Sequence, residues 1–190
     1  TMRFWIEGDV NLTQKSDFIW NALDVSQMNV VPQEAIEDVR KNHLKVDKDT
    51  IVIALVGRIN SWKGQPLLLE AFNILQKKHN HIKLAYIGAA PPNQEFFEDD
   101  LREKISSYEL NDKVTIIPFQ LDIHPFWAAI DIAVVPSTEP EPFGMVAIEA
   151  MFHQKPVVAA NHGGLTEIVI PNETGFLSQN NDVDSLVSSI

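Results

Sequence analysis

From Thr50 onward the hydrophobic and polar positions sort into two alternating kinds of segment. Ile51-Val52-Ile53-Ala54-Leu55-Val56 is an unbroken apolar run, mostly β-branched, as expected of a strand covered on both faces, and it stops at Gly57. Behind it Pro66 suits a first helical turn, and Leu68, Ala71, Phe72 and Leu75 fall at i, i+3, i+4 and i+7. The same reading predicts further strands at Ile82 to Ile87, Val114 to Ile117, Ile132 to Val135, Pro156 to Ala160 and Thr174 to Leu177. It predicts helices at Gln94 to Tyr108, Ile123 to Ile130, Gly144 to His153 and Gly164 to Ile170, and another opening at Asp182. Strands and helices in strict alternation with short connections predict an α/β fold: a doubly wound, mostly parallel six-stranded sheet, helices on both faces, right-handed at each crossover. Ligands of such a sheet sit beyond the carboxyl ends of its strands. The loops after Val56, Ile87, Ile117, Val135 and Ala160 are therefore where chemistry is to be sought.

The first fifty residues are less regular. Asp17 to Ala22 and Val25 to Val31 contain apolar residues without a sustained period, and Gln33 to Lys45 reads as a charged, exposed helix with Ile36, Val39 and His43 on one side. Residues 1–45 are accordingly expected to be a lead-in or linker, and residues 46–190 the sheet domain. The chain opens Thr1-Met2 and ends at Ser189-Ile190 inside a predicted helix, which suggests a piece of a longer protein.

Composition narrows the function classes. With 45% apolar and 22% charged residues the chain is globular rather than disordered. A formal charge of −11, from 15 Lys plus Arg against 26 Asp plus Glu, disfavours sequence-independent binding to nucleic acid or anionic lipid. The absence of cysteine excludes a disulfide scaffold, a thiolate zinc site and a thiol nucleophile. No apolar run reaches the roughly 20 residues of a membrane span, and the N-terminus lacks the pattern of a signal peptide. A cytoplasmic location fits these features.

Two loops carry the candidate chemistry. Gly57-Arg58-Ile59-Asn60-Ser61-Trp62-Lys63-Gly64 joins a strand end to a helix start and places two cations five residues apart. Arg offers a planar fork to phosphate oxygens and Lys a mobile point charge, so the loop suits a diphosphate, although in isolation both cations would read as solvated. Neither G-x-G-x-x-G nor G-x-x-x-x-G-K-[ST] is present, against a dinucleotide oxidoreductase or a P-loop enzyme. The second loop, Pro136-Ser137-Thr138-Glu139-Pro140-Glu141-Pro142-Phe143-Gly144, runs into Met145-Val146-Ala147-Ile148-Glu149. With Pro142 at the first helical position, Glu141 falls near the N-cap, and Glu149 lies roughly 12 Å further on at about 1.5 Å per residue. That is too far for the two carboxylates of a retaining hydrolase, which stand about 5–5.5 Å apart, but suits two polyhydroxyl ends of one ligand with a diphosphate between them.

Taken together, Gly57-Arg58 with Lys63-Gly64, Pro136-Ser137, Glu141-Pro142-Phe143-Gly144 with Glu149, and Gly163-Gly164 with Glu167 resemble the retaining glycosyltransferases of the GT-B fold, in the group that contains sucrose, glycogen and mannosyl transferase-type enzymes. The Glu-x7-Glu spacing around Glu-Pro-Phe-Gly is that group's signature. The resemblance covers about residues 45–190 and corresponds to the C-terminal, donor-binding half. It implies that Arg58, Lys63 and Glu141 are catalytic and that Gly57, Arg58, Lys63, Phe119, Glu141, Phe143, Gly144, Met145 and Glu149 bind a nucleoside-diphosphate sugar. Arg58 and Lys63 would meet the diphosphate and stabilise it as a leaving group, Glu141 hydroxyls of the donor sugar, and Glu149 the ribose. Backbone amides of Phe143, Gly144 and Met145 would face sugar and phosphates, and Pro118-Phe119-Gln120 would lie against the nucleobase. Reaction in this family retains anomeric configuration, commonly attributed to front-face attack with the departing phosphate taking the acceptor's proton, so no protein nucleophile is nominated. No metal and no cofactor is expected. The acceptor, a glycan or lipid, would be held by an N-terminal domain outside this chain, through which peripheral membrane attachment is left open.

The chain departs from the family pattern at Gln120 and Ala90, where glycines are frequent, and near Val31-Pro32, where an Asn-Gly pair is absent. Asp182-Val183-Asp184 has the D-x-D form of metal-dependent transferases but sits at a predicted helix start, where Asp caps. His124 and His153 read as loop and helix-end residues, Trp62 as a loop anchor, and His162, beside Gly163-Gly164, as a residue within reach of a donor. Two other readings remain open at this point: a non-catalytic nucleotide-binding or interaction domain of the same fold, and a nucleotide-sugar epimerase.

Overall fold

The computed structural model describes residues 21–23 and 30–190. The readings of Asp17 to Ala22 and Val25 to Val31 fall largely outside the described residues. The domain is built on one six-stranded sheet: β1 Ile51–Val56, β2 Ile82–Ile87, β3 Val114–Ile117, β4 Ile132–Val135, β5 Val157–Ala160 and β6 Gly175–Ser178. The spatial order is β3-β2-β1-β4-β5-β6, and every pairing is parallel, with Ile53 opposite Ile132 and Ala54 opposite Ala133 where β1 meets β4. The helices are α1 Gln33–Asp38, α2 Gln65–Leu75, α3 Phe96–Ser107, α4 His124–Ala129, α5 Met145–Phe152, α6 Leu165–Ile168 and α7 Val183–Ser189.

Both faces of the sheet are covered, and the period of two along each strand divides the core. Val52 and Ala54 of β1, with Ala85, Ile87, Ala133, Val135, Val157 and Ala159, pack against α4, α5 and the segment around Val39. Ile53 and Leu55, with Leu84, Tyr86, Val134 and Val158, face Leu68, Leu69 and Phe72 of α2, Leu101 and Ile105 of α3, and Leu186 of α7. This is why the strands read as continuous apolar runs, since residues pointing to either face are covered along the middle of the sheet. Asp182 caps α7, its Oδ1 accepting from the Ser185 N–H at 2.9 Å, so the D-x-D pattern is a helix start.

The segment expected to be an exposed helix is instead docked. After α1 the chain widens into a π-helical turn, Val39–Leu44, which ends at Lys45 in left-handed conformation (φ 55°). Bonds spanning five residues bring Val39 and Leu44 to the same side, and both are buried in the core. Regular i, i+4 counting does not anticipate that pair. Arg40 on the same turn holds the amino end of the sheet: it donates to the carbonyls of Ala129 (2.8 Å), Asp47 (2.9 Å) and Thr50 (2.6 Å), and to Asp131 Oδ2 (3.3 Å). Asp131 Oδ2 also accepts the Val52 N–H at 2.7 Å, where β1 starts beside β4.

Replacing Arg40 by Ala should lower unfolding free energy by about 2–3 kcal/mol, because three carbonyls, two of them part-buried, and Asp131 lose a charged donor. The urea midpoint should fall with the slope unchanged, and Arg40→Lys should recover little, since an ammonium cannot span the same acceptors.

Candidate functional site

The sheet order reverses direction between β1 and β4. The chain leaves β1 toward β2 and leaves β4 toward β5, so the loops at their carboxyl ends part and a crevice opens between them. The β1–α2 loop is shaped from within. Asn60 Oδ1 accepts the backbone N–H groups of Trp62 (3.2 Å) and Lys63 (3.0 Å), a tight polar turn that sets where Lys63 leaves the chain. Beneath it the buried Gln65 donates to the Arg58 carbonyl (2.7 Å), and the Tyr86 hydroxyl donates to the Gln65 carbonyl (2.9 Å). Complete burial pushes the Tyr86 phenol well above its ordinary pKa, so it stays a neutral donor. Gly64 ends the loop at φ 82°, and a Cβ there would lie 2.2 Å from the Pro136 carbonyl oxygen, so only glycine lets the two loops approach this closely.

The approach is fastened by the Thr138 N–H, which donates to the Trp62 carbonyl at 2.8 Å. Across this junction Lys63 Nζ reaches Glu141 Oε1 at 2.5 Å, with both side chains largely buried. The Lys63 ammonium also lies over the Trp62 ring, 4.3 Å from its centre. The Ser137 hydroxyl donates to the same Glu141 oxygen at 2.7 Å. A third loop, after β5, supports the second: His162 Nε2 donates to the Ser137 carbonyl (2.7 Å), and the Gly164 N–H donates to the Glu141 carbonyl (2.8 Å). Gly163, at φ 61°, is crowded against the Glu141 backbone, where a Cβ would fall 2.6 Å from the carbonyl oxygen. His162 is thus occupied with positioning a loop.

On the other side of β1 lies a cleft of about 620 Å³ lined by Gly57, Arg58, Ala89, Ala90, Pro91, Pro92 and Phe119, among others. Its walls are mostly apolar, and Arg58 is exposed at its rim. Phe119, at 69% exposure, and Leu121, at 97%, border it with their apolar side chains in solvent. Gln120 folds back on its own loop, donating to the Pro118 carbonyl at 2.9 Å. Of the residues predicted to bind a donor, Gly57, Arg58 and Phe119 meet in this cleft, and Lys63 and Glu141 meet in the neighbouring junction.

Glu149 stands apart on α5, half-buried, and burial raises its pKa above the ordinary glutamate value, while the nearby Trp127 indole N–H and His124 oppose the rise. His124 and His153, read from sequence as loop and helix-end residues, meet here with Nδ1 and Nε2 3.0 Å apart. Burial first, then the proximity of His124, lowers the pKa of His153.

One element of the sequence reading is corrected. The helix starts at Met145 behind a left-handed Gly144 (φ 100°), so Glu141 lies in an irregular loop four residues before the helix and not at its N-cap. The helical ruler of roughly 12 Å between the glutamates therefore has no basis, since only Met145 to Glu149, about 6 Å, is helical rise. Glu-Pro-Phe-Gly forms a loop because Gly163 and Gly164 press against its backbone, a long-range contact invisible to capping rules. That α5 cap supplies no side chain to the first-turn N–H groups around Met145. The reading also missed that Lys63 and Glu141 pair, that Ser137 joins them and that Pro91 and Pro92 line the cleft. Ser137 carried a signal, as the second residue past β4 on the carboxyl edge of the sheet.

Comparison with known proteins bears on the family and the fold. The family model described as glycosyl transferases group 1 matches residues 36–190. The lipopolysaccharide 1,2-N-acetylglucosaminetransferase of Salmonella typhimurium is 31% identical over 159 residues, 81% of this chain and 42% of that protein. The chain spans half or less of the length of the curated relatives it matches. The crystal structure of Anabaena Alr3699/HepE in complex with UDP-glucose aligns at a TM-score of 0.81 with 31% identity, over 90% of this chain and 45% of that one. The C-terminal domain of the group 1 glycosyl transferase LpcC from Francisella tularensis aligns at 0.74 with 27% identity, over 88% of this chain and 85% of that domain. On the family model that covers residues 36–190, this chain belongs to the group 1 glycosyl transferases, and its six-stranded parallel sheet has the Rossmann-like architecture of one half of a GT-B fold.

Proposed function

We propose that this chain is the donor-binding domain of a retaining glycosyltransferase, which transfers a hexosyl unit from a nucleoside-diphosphate sugar to a glycan, lipid or other acceptor held by a further domain. The observation that carries the reading is the junction at the switch point, where an apolar cleft with Arg58 at its rim adjoins the Lys63–Glu141 pair across β1. The cleft suits a nucleobase between Phe119 and the Ala89–Pro92 loop, and the exposed apolar faces of Phe119 and Leu121 gain a partner on binding. The likeness to a protein crystallised with UDP-glucose supports the same ligand class.

In this reading Arg58 forks onto the diphosphate and Lys63 leaves Glu141 to join it, so that charge developing on the leaving group is met by preorganised cations. Glu141, once released, accepts from sugar hydroxyls, and Glu149 accepts from the ribose. The diphosphate's charge is met by side chains, and among the described residues no group of three or more His, Asp and Glu is arranged to hold a metal ion. Transfer itself requires the acceptor-holding domain.

Calorimetric titration of nucleoside, nucleoside diphosphate and nucleotide-sugar tests the division of labour. Arg58→Ala should weaken every diphosphate-bearing ligand about ten- to a hundredfold and hardly affect a nucleoside. Glu149→Ala should weaken nucleoside diphosphate with and without the sugar, while Glu141→Ala should remove only the affinity added by the sugar. Equal losses for both glutamate variants on plain nucleoside diphosphate would overturn the assignment.

A second prediction is that EDTA leaves these dissociation constants unchanged, and a stoichiometric Mn²⁺ requirement would contradict the metal-free reading. A third follows from the raised pKa of Glu149. A carboxyl that holds its proton more tightly when folded makes stability fall as pH rises from about 4.3, the unfolded value, through the folded one. Glu149→Gln should therefore melt higher than the wild-type chain at pH 7 and equally at pH 4, while binding nucleotide less well. Equal melting temperatures at both pH values would show that burial of Glu149 carries no such cost.

A further inference from the structure

Arg58 stands where the hydrogen-bond ladder of β1 runs out. Along β1 the peptide groups alternate between the two neighbouring strands. The N–H groups of Ile51 and Gly57 donate to the His81 and Ile87 carbonyls on the β2 side, and the Val52 carbonyl accepts from the Asp131 N–H on the β4 side. The alternation continues past the strand, since the Ile59 N–H donates to the Ala89 carbonyl at 3.0 Å. The Arg58 carbonyl therefore turns to the β4 side, where β4 ends at Val135 and the loops part. Gln65, the first residue of α2 and 1% exposed, takes the place of the missing strand: its Nε2 donates to that carbonyl at 2.7 Å. Gln65 is anchored in turn, because its own carbonyl accepts from the buried Tyr86 hydroxyl at 2.9 Å. Its Oε1 has no partner among the described residues, so the bond to Arg58 is what orients the amide. A methionine would fill the same space without burying an unpaired oxygen.

We infer that Gln65 is a positioning residue for Arg58, fixing the backbone from which the guanidinium leaves before a diphosphate arrives. The inference rests on the reading of the site given above, in which Arg58 forks onto the diphosphate. A planar fork makes two parallel bonds only when its root holds it at the right angle. A root that had to be ordered on binding would subtract from affinity, whereas one already held does not. The bonds of Gly57 and Ile59 fix the segment to the β2 side, and Gln65 fixes it on the other, so that only the arginine side chain is left to move. Gly88 keeps the attachment close, since a Cβ there would fall 2.1 Å from the Gly57 carbonyl oxygen. Lys63 is set by a different device, the Asn60 turn, so loss of the Gln65 amide should act on the diphosphate through Arg58.

The test compares the wild-type chain with Gln65→Met, Arg58→Ala and the double variant, titrated by NMR with uridine, guanosine, adenosine and their diphosphates. The quantity read is the ratio of nucleoside-diphosphate to nucleoside affinity for the base bound most tightly. Gln65→Met should reduce that ratio about tenfold. In the Arg58→Ala background it should have no further effect, a coupling that a general loosening of the loop would not produce. An unchanged ratio in Gln65→Met, or a full additional loss in the double variant, overturns the role of Gln65; the site reading stands if Arg58→Ala still lowers the ratio. An Arg58→Ala chain with an unchanged ratio, or a wild-type chain that binds no diphosphate more tightly than its nucleoside, overturns the site reading and this inference together. Should Gln65→Met fail to fold, nitrogen-15 relaxation of the wild-type chain decides the question. The Arg58 backbone amide and the Gln65 side-chain amide should be as rigid as the β1 amides before ligand is added. If either becomes rigid only on binding UDP, GDP or ADP, the proposal is overturned.

Discussion

The parallel pairing of β1 with β4 is the constraint from which the rest of this domain follows. Because the strands between them in sequence lie on the far side of β1, the chain must leave the two adjacent carboxyl ends in opposite directions. A crevice is the geometric consequence, and Arg58, Lys63, Glu141 and Glu149 stand on the loops that border it or on the helix that follows one of them. The pairing is secured at its amino end by Asp131, which takes the Val52 N–H, and by Arg40, which reaches Asp131 and three carbonyls. At the carboxyl end it is secured by loop contacts, where Gly64 lies under Pro136 and Thr138 bonds to Trp62. The segment before the sheet and the loops beyond it thus act on the same two strands.

The two most buried charges of the site, Lys63 and Glu141, are paired with each other, while Arg58 is left at the rim of the cleft. A site arranged in this way keeps both buried charges compensated before binding. In the proposed reading it would also couple recognition of the two parts of a nucleotide-sugar, because Lys63, assigned there to the diphosphate, covers Glu141, assigned there to the sugar. Against the chain's formal charge of −11, Arg58 and Lys63 are a local concentration of positive charge on the carboxyl edge of the sheet.

Glu149 illustrates a different compromise. Nothing in the apolar helix around it requires a carboxylate, and burial disfavours its charged form. It sits one helical turn inside α5, where the Trp127 indole and His124 oppose the effect of burial. The adjoining His124–His153 pair shares a single hydrogen-bond line, in which one ring nitrogen donates and the other accepts, so a second proton between the rings is disfavoured.

Fold and site were legible in the sequence to different depths, for a physical reason. Strand burial on two faces writes itself as continuous β-branched runs, and helices write theirs as a 3.6-residue stripe, so β1 to β6 and the helices between them could be read from local pattern alone. The residue types of the proposed site can be chosen from the sequence on chemistry alone, because a diphosphate calls for cations and a polyol for carboxylates. What local pattern does not encode is which of those residues touch. The π-helical turn that buries Val39 with Leu44, the loop rather than helix at Glu141, the meeting of Lys63 with Glu141 and of His124 with His153, and the placement of Ser137 beneath the carboxylate all depend on contacts between residues far apart in sequence, such as the backbone of Gly163 against that of Glu141. Those contacts come into being only when β4 lies beside β1 and β5 beside β4, and so only the assembled sheet decides them.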